Sequence, residues 1–188
     1  MPSAPRSALH DAPTLTTPRL LLRGWQESDR APFAAMSADP EVMKFYMMPL
    51  TRAESDMFIA RMCERFTADG LGFFAVEQRD TGAFIGAVGL ARLRFDAHFT
   101  PAVEIGWRLA RDAWGQGFAS EAALAALQHG FAAQGLKEIV AFAVVANAAS
   151  RKVMDRIGMV RDAAGDFDHP SVPQGHPSRR HVLYRARR

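Results

Sequence analysis

The chain has 188 residues, 48% of them hydrophobic and 23% charged, with a formal net charge of +3. This balance gives one globular domain and excludes a second full domain, a disordered chain and a collagen-like chain. The positive surplus is too small to imply nucleic acid, and the single cysteine, Cys63, can form neither an internal disulfide nor a thiolate metal cluster.

Residues 1–15 are rich in Pro, Ala and Ser without periodicity, which predicts a loose tail, with the domain occupying residues 16–188 and order beginning near Arg19. Pro and Asp interrupt the apolar stretch that a signal peptide needs, and the longest apolar run, Ile139 to Ala146, is far too short to cross a membrane. A reduced cytoplasm is the expected compartment, without a membrane partner.

Arg19 to Arg23 reads as a first strand, followed by a helix over Ser28 to Ser37 with Ser28 as its N-cap. Asp39 to Leu50, rich in Met and aromatics, reads as a loop with a short turn. Thr51 to Thr67 shows helical spacing, with Thr51 and Glu54 placed for a capping box. Phe73 to Gln78 and Phe84 to Leu93 are strand-like and separated by Asp80, Thr81 and Gly82, the chemistry of a hairpin turn. A strand over Val103 to Leu109, a helix over Phe118 to Ala133, a strand over Ile139 to Val145 and a helix over Ala148 to Ile157 follow. The remainder reads as a loop closed by a strand over His181 to Ala186.

The strongest local signal is Trp114-Gly115-Gln116-Gly117-Phe118-Ala119-Ser120-Glu121, between a strand and an Ala-rich helix. Glycines let backbone N–H groups approach a ligand, and a helix start offers unpaired donors at the positive end of its dipole; together they suit a phosphate. A plain strand-to-helix turn is the alternative. No Lys stands where a Walker loop needs one, and Ser120 occupies the third glycine position of a dinucleotide fingerprint.

Val103 to Leu109 alternates, so Glu104, Gly106 and Arg108 share one face. Glu104 is placed to act as a general base, directly or through a water; the alternative is a solvated edge carboxylate paired with Arg108 or Arg92. Asn147 opens the next helix and suits its N-cap. Arg151, Lys152 and Arg156 on that helix form either a solvated face or, for Arg151 or Lys152, a phosphate contact. His169, His176 and His181, with Asp166 and Asp168 nearby, match no metal-ligand spacing, and no metal is expected. The C-terminal arginines read as a solvated strand.

The element order, WGQGFASEA before one helix and NAASRKVMDRIGM after the next strand resemble the GNAT superfamily of acyl-CoA-dependent N-acyltransferases. The opening TTPRLLLR and the closing HVLY are similar to its ribosomal-protein N-terminal acetyltransferase branch, RimJ/RimL-like, and the match covers about residues 16–186. The resemblance implies an α/β (α+β) fold whose mixed, mostly antiparallel central sheet splays at its middle and is flanked by helices. Acetyl-CoA is the implied cosubstrate. Its thioester and pantetheine would lie between strands 103–109 and 139–145, and its pyrophosphate on turn 114–119.

Carried over by position, the backbone at Leu109 and Ala110 would pair with pantetheine. Amides of Gly115, Gln116, Gly117, Phe118 and Ala119 would hold the pyrophosphate, with Arg111 as the basic partner. Trp114 stands where the family usually has Gln or Arg and where this branch often has an aromatic. Asn147 would bond to the pantetheine arm. Many relatives protonate the departing thiolate with a Tyr that neither Tyr46 nor Tyr184 matches, which leaves Ser150, near the sulfur, or a water it holds.

The implied reaction is direct attack of a neutral primary amine on the acetyl carbonyl, with Glu104 accepting the proton and a backbone N–H near Leu109 steadying the oxyanion. A peptide or protein N-terminal α-amine is the expected acceptor. A small-molecule amine and a non-catalytic acyl-CoA-binding module are the alternatives. The segments around 33–50, 95–102 and 165–178 would select the acceptor, and the resemblance leaves room for a homodimer.

Overall fold

The computed structural model describes residues 8–188. Its sheet strands are β1 (Leu15–Thr16), β2 (Leu20–Arg23), β3 (Phe73–Gln78), β4 (Phe84–Arg92), β5 (Val103–Leu109), β6 (Glu138–Val144), β7 (Val160–Asp168) and β8 (Arg180–Arg187), in the spatial order β1-β2-β3-β4-β5-β6-β8-β7. Every neighbouring pair is antiparallel except β5 and β6. The helices are α1 (Arg30–Ala38), α2 (Arg52–Asp69), α3 (Phe118–Ala132) and α4 (Ala148–Arg156).

The two sheet faces bury different cores because successive strand residues point to opposite sides. Phe74, Val76 and Val88 join Phe118, Ala122, Ala126 and Met154 of α3 and α4. Ala75 and Ala87 face the other way, toward Phe33 and Met36 of α1 and Ile59 and Met62 of α2. The result is a sheet between two helical layers.

Several local signals act as their chemistry predicts. Thr51 Oγ1 accepts from the Glu54 N–H, while Glu54 Oε2 accepts from the Thr51 N–H at 2.8 Å, which closes the capping box at the start of α2. Gly82 takes φ 69° in the β3–β4 turn, a conformation that a side chain disfavours.

Other expectations are corrected. Ser28 caps nothing: it lies inside a 3-10 turn over Glu27–Asp29, where Asp29 Oδ2 accepts from the Gln26 N–H at 2.8 Å. Asp29 competes successfully because its carboxylate also receives the Arg23 guanidinium at 2.7 Å. The segment from Val160, expected as a loop, is strand β7, paired with β8 across a break in register between Asp162 and Phe167. Arg185 to Asp162 (2.7 Å) and Arg161 to Asp166 (2.6 Å) hold it in place. Part of the expected tail, residues 1–7, lies outside the described residues. From Ala8 onward the chain is ordered, contrary to a start near Arg19: Ala8 bridges Gln26, the Leu9 N–H donates to the Trp25 carbonyl at 2.7 Å, and His10 stacks on Phe66.

Candidate active site

The sheet is weakest at its centre. β4 and β5 pair over seven residues, β6 and β8 over seven, but β5 and β6 share the single register pair Glu104 and Val140. Beyond that pair the two parallel strands part.

Backbone direction alternates along a strand, so the N–H of Ala110, which donates to the Ile85 carbonyl at 2.9 Å, fixes the pattern for all of β5. Glu104, Gly106, Arg108 and Ala110 turn their backbone groups toward β4. Trp107 and Leu109 turn theirs into the gap. Interior backbone groups need partners, and a ligand or water must supply them there. Of the two positions expected to pair with pantetheine, Leu109 therefore keeps a free N–H, whereas Ala110 is already engaged. The Leu109 carbonyl accepts from Trp114 Nε1 at 2.9 Å.

One cavity of about 380 Å³ opens on the Glu104 side of the gap. Glu104, Gly106 and Arg108 line it together, as the alternation predicts, with Phe58, Phe73, Phe142, His169 and His181 around them. Glu104 does not form the edge pair considered from sequence, since Arg92 binds Asp69 and Arg108 donates to Ser37 Oγ. Burial pushes the Glu104 carboxyl up to about 7, against the weaker opposing pull of Arg65. A carboxyl poised there accepts protons at neutral pH.

His169 and His181 pack with ring centroids 5.2 Å apart and their planes tilted by 46°. Burial lowers both below the usual imidazole range; His181 depresses His169 further, while the Arg179 carbonyl and Asp168 partly oppose the shift at His181. At neutral pH they are an uncharged aromatic wall. Among the described residues no three His, Cys, Asp or Glu side chains converge as metal ligands.

A second cavity of about 470 Å³ continues from the first, sharing Phe45, Tyr46, Trp107, Arg108, Asn147 and Ser150 with it. Leu109, Trp114, Gly115, Gly117, Phe118 and Ala119 form one wall. Gly115 (φ 76°) and Gly117 (φ 82°) are both left-handed, so the chain turns tightly there and leaves open space where Gly115 would otherwise carry a side chain. Gly117 caps α3 without a side chain, and the first-turn N–H groups of the helix lack intrahelical partners.

Arg111, expected as the basic partner, is exposed and is not among the residues of this wall. The Gln116 side-chain amide turns back to the Asp112 carbonyl at 2.9 Å. The basic groups that do line the cavity are Lys152 and Arg156, together with Lys44 and the shared Arg108. Ala149, Lys152, Val153 and Arg156 recur at helical spacing, so one face of α4 carries them all. Arg151 points elsewhere and donates to the Val145 carbonyl at 3.1 Å.

Asn147 caps α4, its Oδ1 accepting from the Ser150 N–H at 3.1 Å, so capping and a place on the cavity wall coexist. Two hydroxyl side chains, Ser150 and Tyr46, line both cavities. Tyr184 is buried in the core. Arg19 was not foreseen: it reaches the Gln116 carbonyl, Glu121 and the Phe118 ring, and so fastens the glycine turn to the start of β2.

Residues 19–160 match the model of the acetyltransferase (GNAT) domain. The chain is 31% identical over 162 residues to the uncharacterized N-acetyltransferase YnaD of Bacillus subtilis, covering 86% of this chain and 89% of that protein. A GNAT-family acetyltransferase structure from Bacillus anthracis superposes with a TM-score of 0.77 at 27% identity, covering 93% of this chain and 98% of that one. The ribosomal L7/L12 alpha-N-protein acetyltransferase RimL, solved with coenzyme A, shares the fold with a TM-score of 0.74 at 15% identity over 93% of this chain and 98% of its own. The chain belongs to the GNAT family and is an acetyltransferase.

Proposed function

We propose that this protein moves the acetyl group of acetyl-CoA directly to an α-amine, with Glu104 as the base. The single observation that carries this reading is the unpaired central gap, which runs from Glu104 past Leu109 to the glycine turn. Exposed backbone groups, a carboxyl that accepts protons near neutrality and a helix start flanked by Lys152 and Arg156 stand along one continuous cavity.

The residues fit the cosubstrate. Trp107 offers sheet-like backbone bonds to an extended amide-bearing arm, and the side-chain amide of Asn147 offers a donor on the opposite wall. N–H groups at the start of α3, the left-handed glycines and the ammonium and guanidinium groups of Lys152 and Arg156 suit a pyrophosphate. When bound, the thioester supplies an electrophilic carbonyl and a thiolate leaving group.

The acceptor nitrogen forms its bond to the acetyl carbon as the carbon–sulfur bond breaks. Glu104 takes the proton that the nitrogen loses, through a water. The Leu109 N–H holds the charge that develops on the carbonyl oxygen. Ser150, or a water held by it, returns a proton to the sulfur.

Deprotonating a lysine at pH 7 costs about 4.6 kcal/mol, whereas an α-amine near its usual pKa costs roughly 1 kcal/mol. A single carboxyl near neutrality fits the smaller demand. Ribosomal-protein acetyltransferases among the fold neighbours support the same class of acceptor.

The test is acetyl transfer to peptide N-termini, amino acids, polyamines and amino sugars by the wild type and by Glu104→Gln. Turnover on α-amines should fall about 100-fold or more in the variant, with acetyl-CoA affinity unchanged. An unaltered rate would remove Glu104 from the mechanism, and activity confined to lysine-like or polyamine acceptors would overturn the α-amine assignment. Binding of acetyl-CoA without transfer to any amine would identify a non-catalytic module.

A further inference from the structure

Arg108 is the one arginine or lysine lining the Glu104 cavity, and among the described residues no carboxylate pairs with it. Its Nη1 donates to Ser37 Oγ at 3.2 Å, and its Nε is buried with no partner. The guanidinium carbon lies 4.5 Å from the centroid of the Tyr46 ring, 5.5 Å from that of Phe58 and 5.8 Å from that of Phe33. Rings on several sides hold the cation in place without neutralising it. An arginine fixed in a cavity wall with no carboxylate partner is built to receive an anion from the ligand, since a partly buried charge is costly until it is paired.

The opposite end of the same strand face carries Glu104. Between them stands Gly106, whose missing side chain is required by the Phe73 ring, 2.7 Å from where a Cβ would sit. The two charged residues are four positions apart, about 13 Å at their Cα atoms, with the Phe73 ring over the strand between them. A cavity with one acid at one end, one arginine at the other and phenylalanines along its side matches a molecule that is both zwitterionic and apolar.

We infer that the acceptor is an amine carrying its own carboxylate and an apolar, preferably aromatic, body, with Arg108 receiving the carboxylate and Glu104 taking the amine proton through intervening water. This rests on the acetyltransferase reading above and narrows its acceptor to free amino acids and their close analogues, as distinct from peptide N-termini. The chemistry is unchanged: the carbon–nitrogen bond forms at the α-amine, the carbon–sulfur bond breaks, the amine proton passes to Glu104, and coenzyme A leaves as the thiol. A carboxylate next to an ammonium ordinarily makes it harder to deprotonate. Pairing with Arg108 cancels part of that field, so the demand on Glu104 approaches that of a peptide α-amine.

The test compares L-phenylalanine with phenethylamine, which lacks the carboxylate, and with L-phenylalaninamide, which keeps a neutral carbonyl. Wild-type kcat/KM should favour phenylalanine over both by about tenfold or more, the scale of a charge-assisted hydrogen bond. Arg108→Met should erase that preference chiefly through KM for phenylalanine, and Arg108→Lys should keep part of it. Equal or better use of phenylalaninamide by the wild type, which needs no variant to fold, would overturn the inference. So would an Arg108→Met enzyme that slows all three acceptors alike, because that pattern belongs to a group acting on the acetyl carbonyl. Acetyl-CoA binding without transfer to any of the three would overturn the carboxylate-bearing acceptor alone; failure to bind acetyl-CoA would overturn the acetyltransferase reading and this inference with it.

Discussion

Arg19 Nε lies 2.6 Å from Glu121 Oε2, joining the start of β2 to the first turn of α3 across the glycine turn. The Arg19 N–H and the Thr17 hydroxyl both reach Glu121 Oε1, and Arg19 Nη1 reaches the Gln116 carbonyl at 2.9 Å. One carboxylate and one guanidinium thus help to fix a loop whose Gly115 and Gly117 have no side chains to pack.

Glu121→Ala should therefore loosen the turn. The expected outcome is a several-fold loss of coenzyme A affinity by calorimetry, unchanged kcat at saturating acetyl-CoA, and a stability loss of about 1–2 kcal/mol. Equal coenzyme A affinity in the variant would mean that the turn holds its shape without Glu121.

Gly117→Ala places a side chain at φ 82°, at a cost of about 1–2 kcal/mol, and the same change at Gly82, φ 69° in the β3–β4 hairpin, costs a similar amount. Only the Gly117 variant should lose coenzyme A binding. Parallel melts and titrations of the two separate conformational strain from loss of the anion seat.

Because Glu104 must be ionised to accept a proton, kcat should fall as pH drops below about 7. Its carboxyl is raised by burial in the folded protein, so the fold binds this proton more tightly than the unfolded chain does. Stability is then reduced as pH rises from the ordinary carboxylate range through about 7. Glu104→Gln removes that loss: its melting temperature should exceed the wild type's at pH 8 and match it at pH 4. A variant with equal or lower stability at pH 8 would contradict the desolvated state of Glu104.

Ser150 and Tyr46 are the two hydroxyl side chains that border both cavities. Ser150→Ala should lower kcat by about tenfold or more, and Tyr46→Phe should leave it within twofold, if protonation of the sulfur runs through α4. The reverse order in single-turnover measurements would transfer that role to the loop before α2.

What was legible in the sequence is what short-range chemistry decides. Thr51 and Glu54 specify a helix start within four residues, Asp80 to Gly82 specify a hairpin, and the alternation of β5 put Glu104, Gly106 and Arg108 on one face. What escaped depends on distant partners. β7 contains Gly165 and several aspartates, poor strand formers that become a strand because Arg185 and the β8 backbone receive them. Ser28 lost the capping position to an Asp29 that Arg23 also binds. Arg111, next to the turn in sequence, is exposed and does not line the cavity, whereas Lys152 and Arg156 line it from another helix. Their spacing with Ala149 and Val153 was readable, but which face of α4 meets the turn is fixed only by packing.

The most direct test of the central gap as an acetyl-CoA site is thermal unfolding with acetyl-CoA, coenzyme A and NAD in parallel. A ligand at about 100 times its dissociation constant adds roughly 2.7 kcal/mol, or about 5–10 °C for a domain of this size. The account predicts that shift with acetyl-CoA and with coenzyme A and none with NAD; no shift with either coenzyme A species would contradict it.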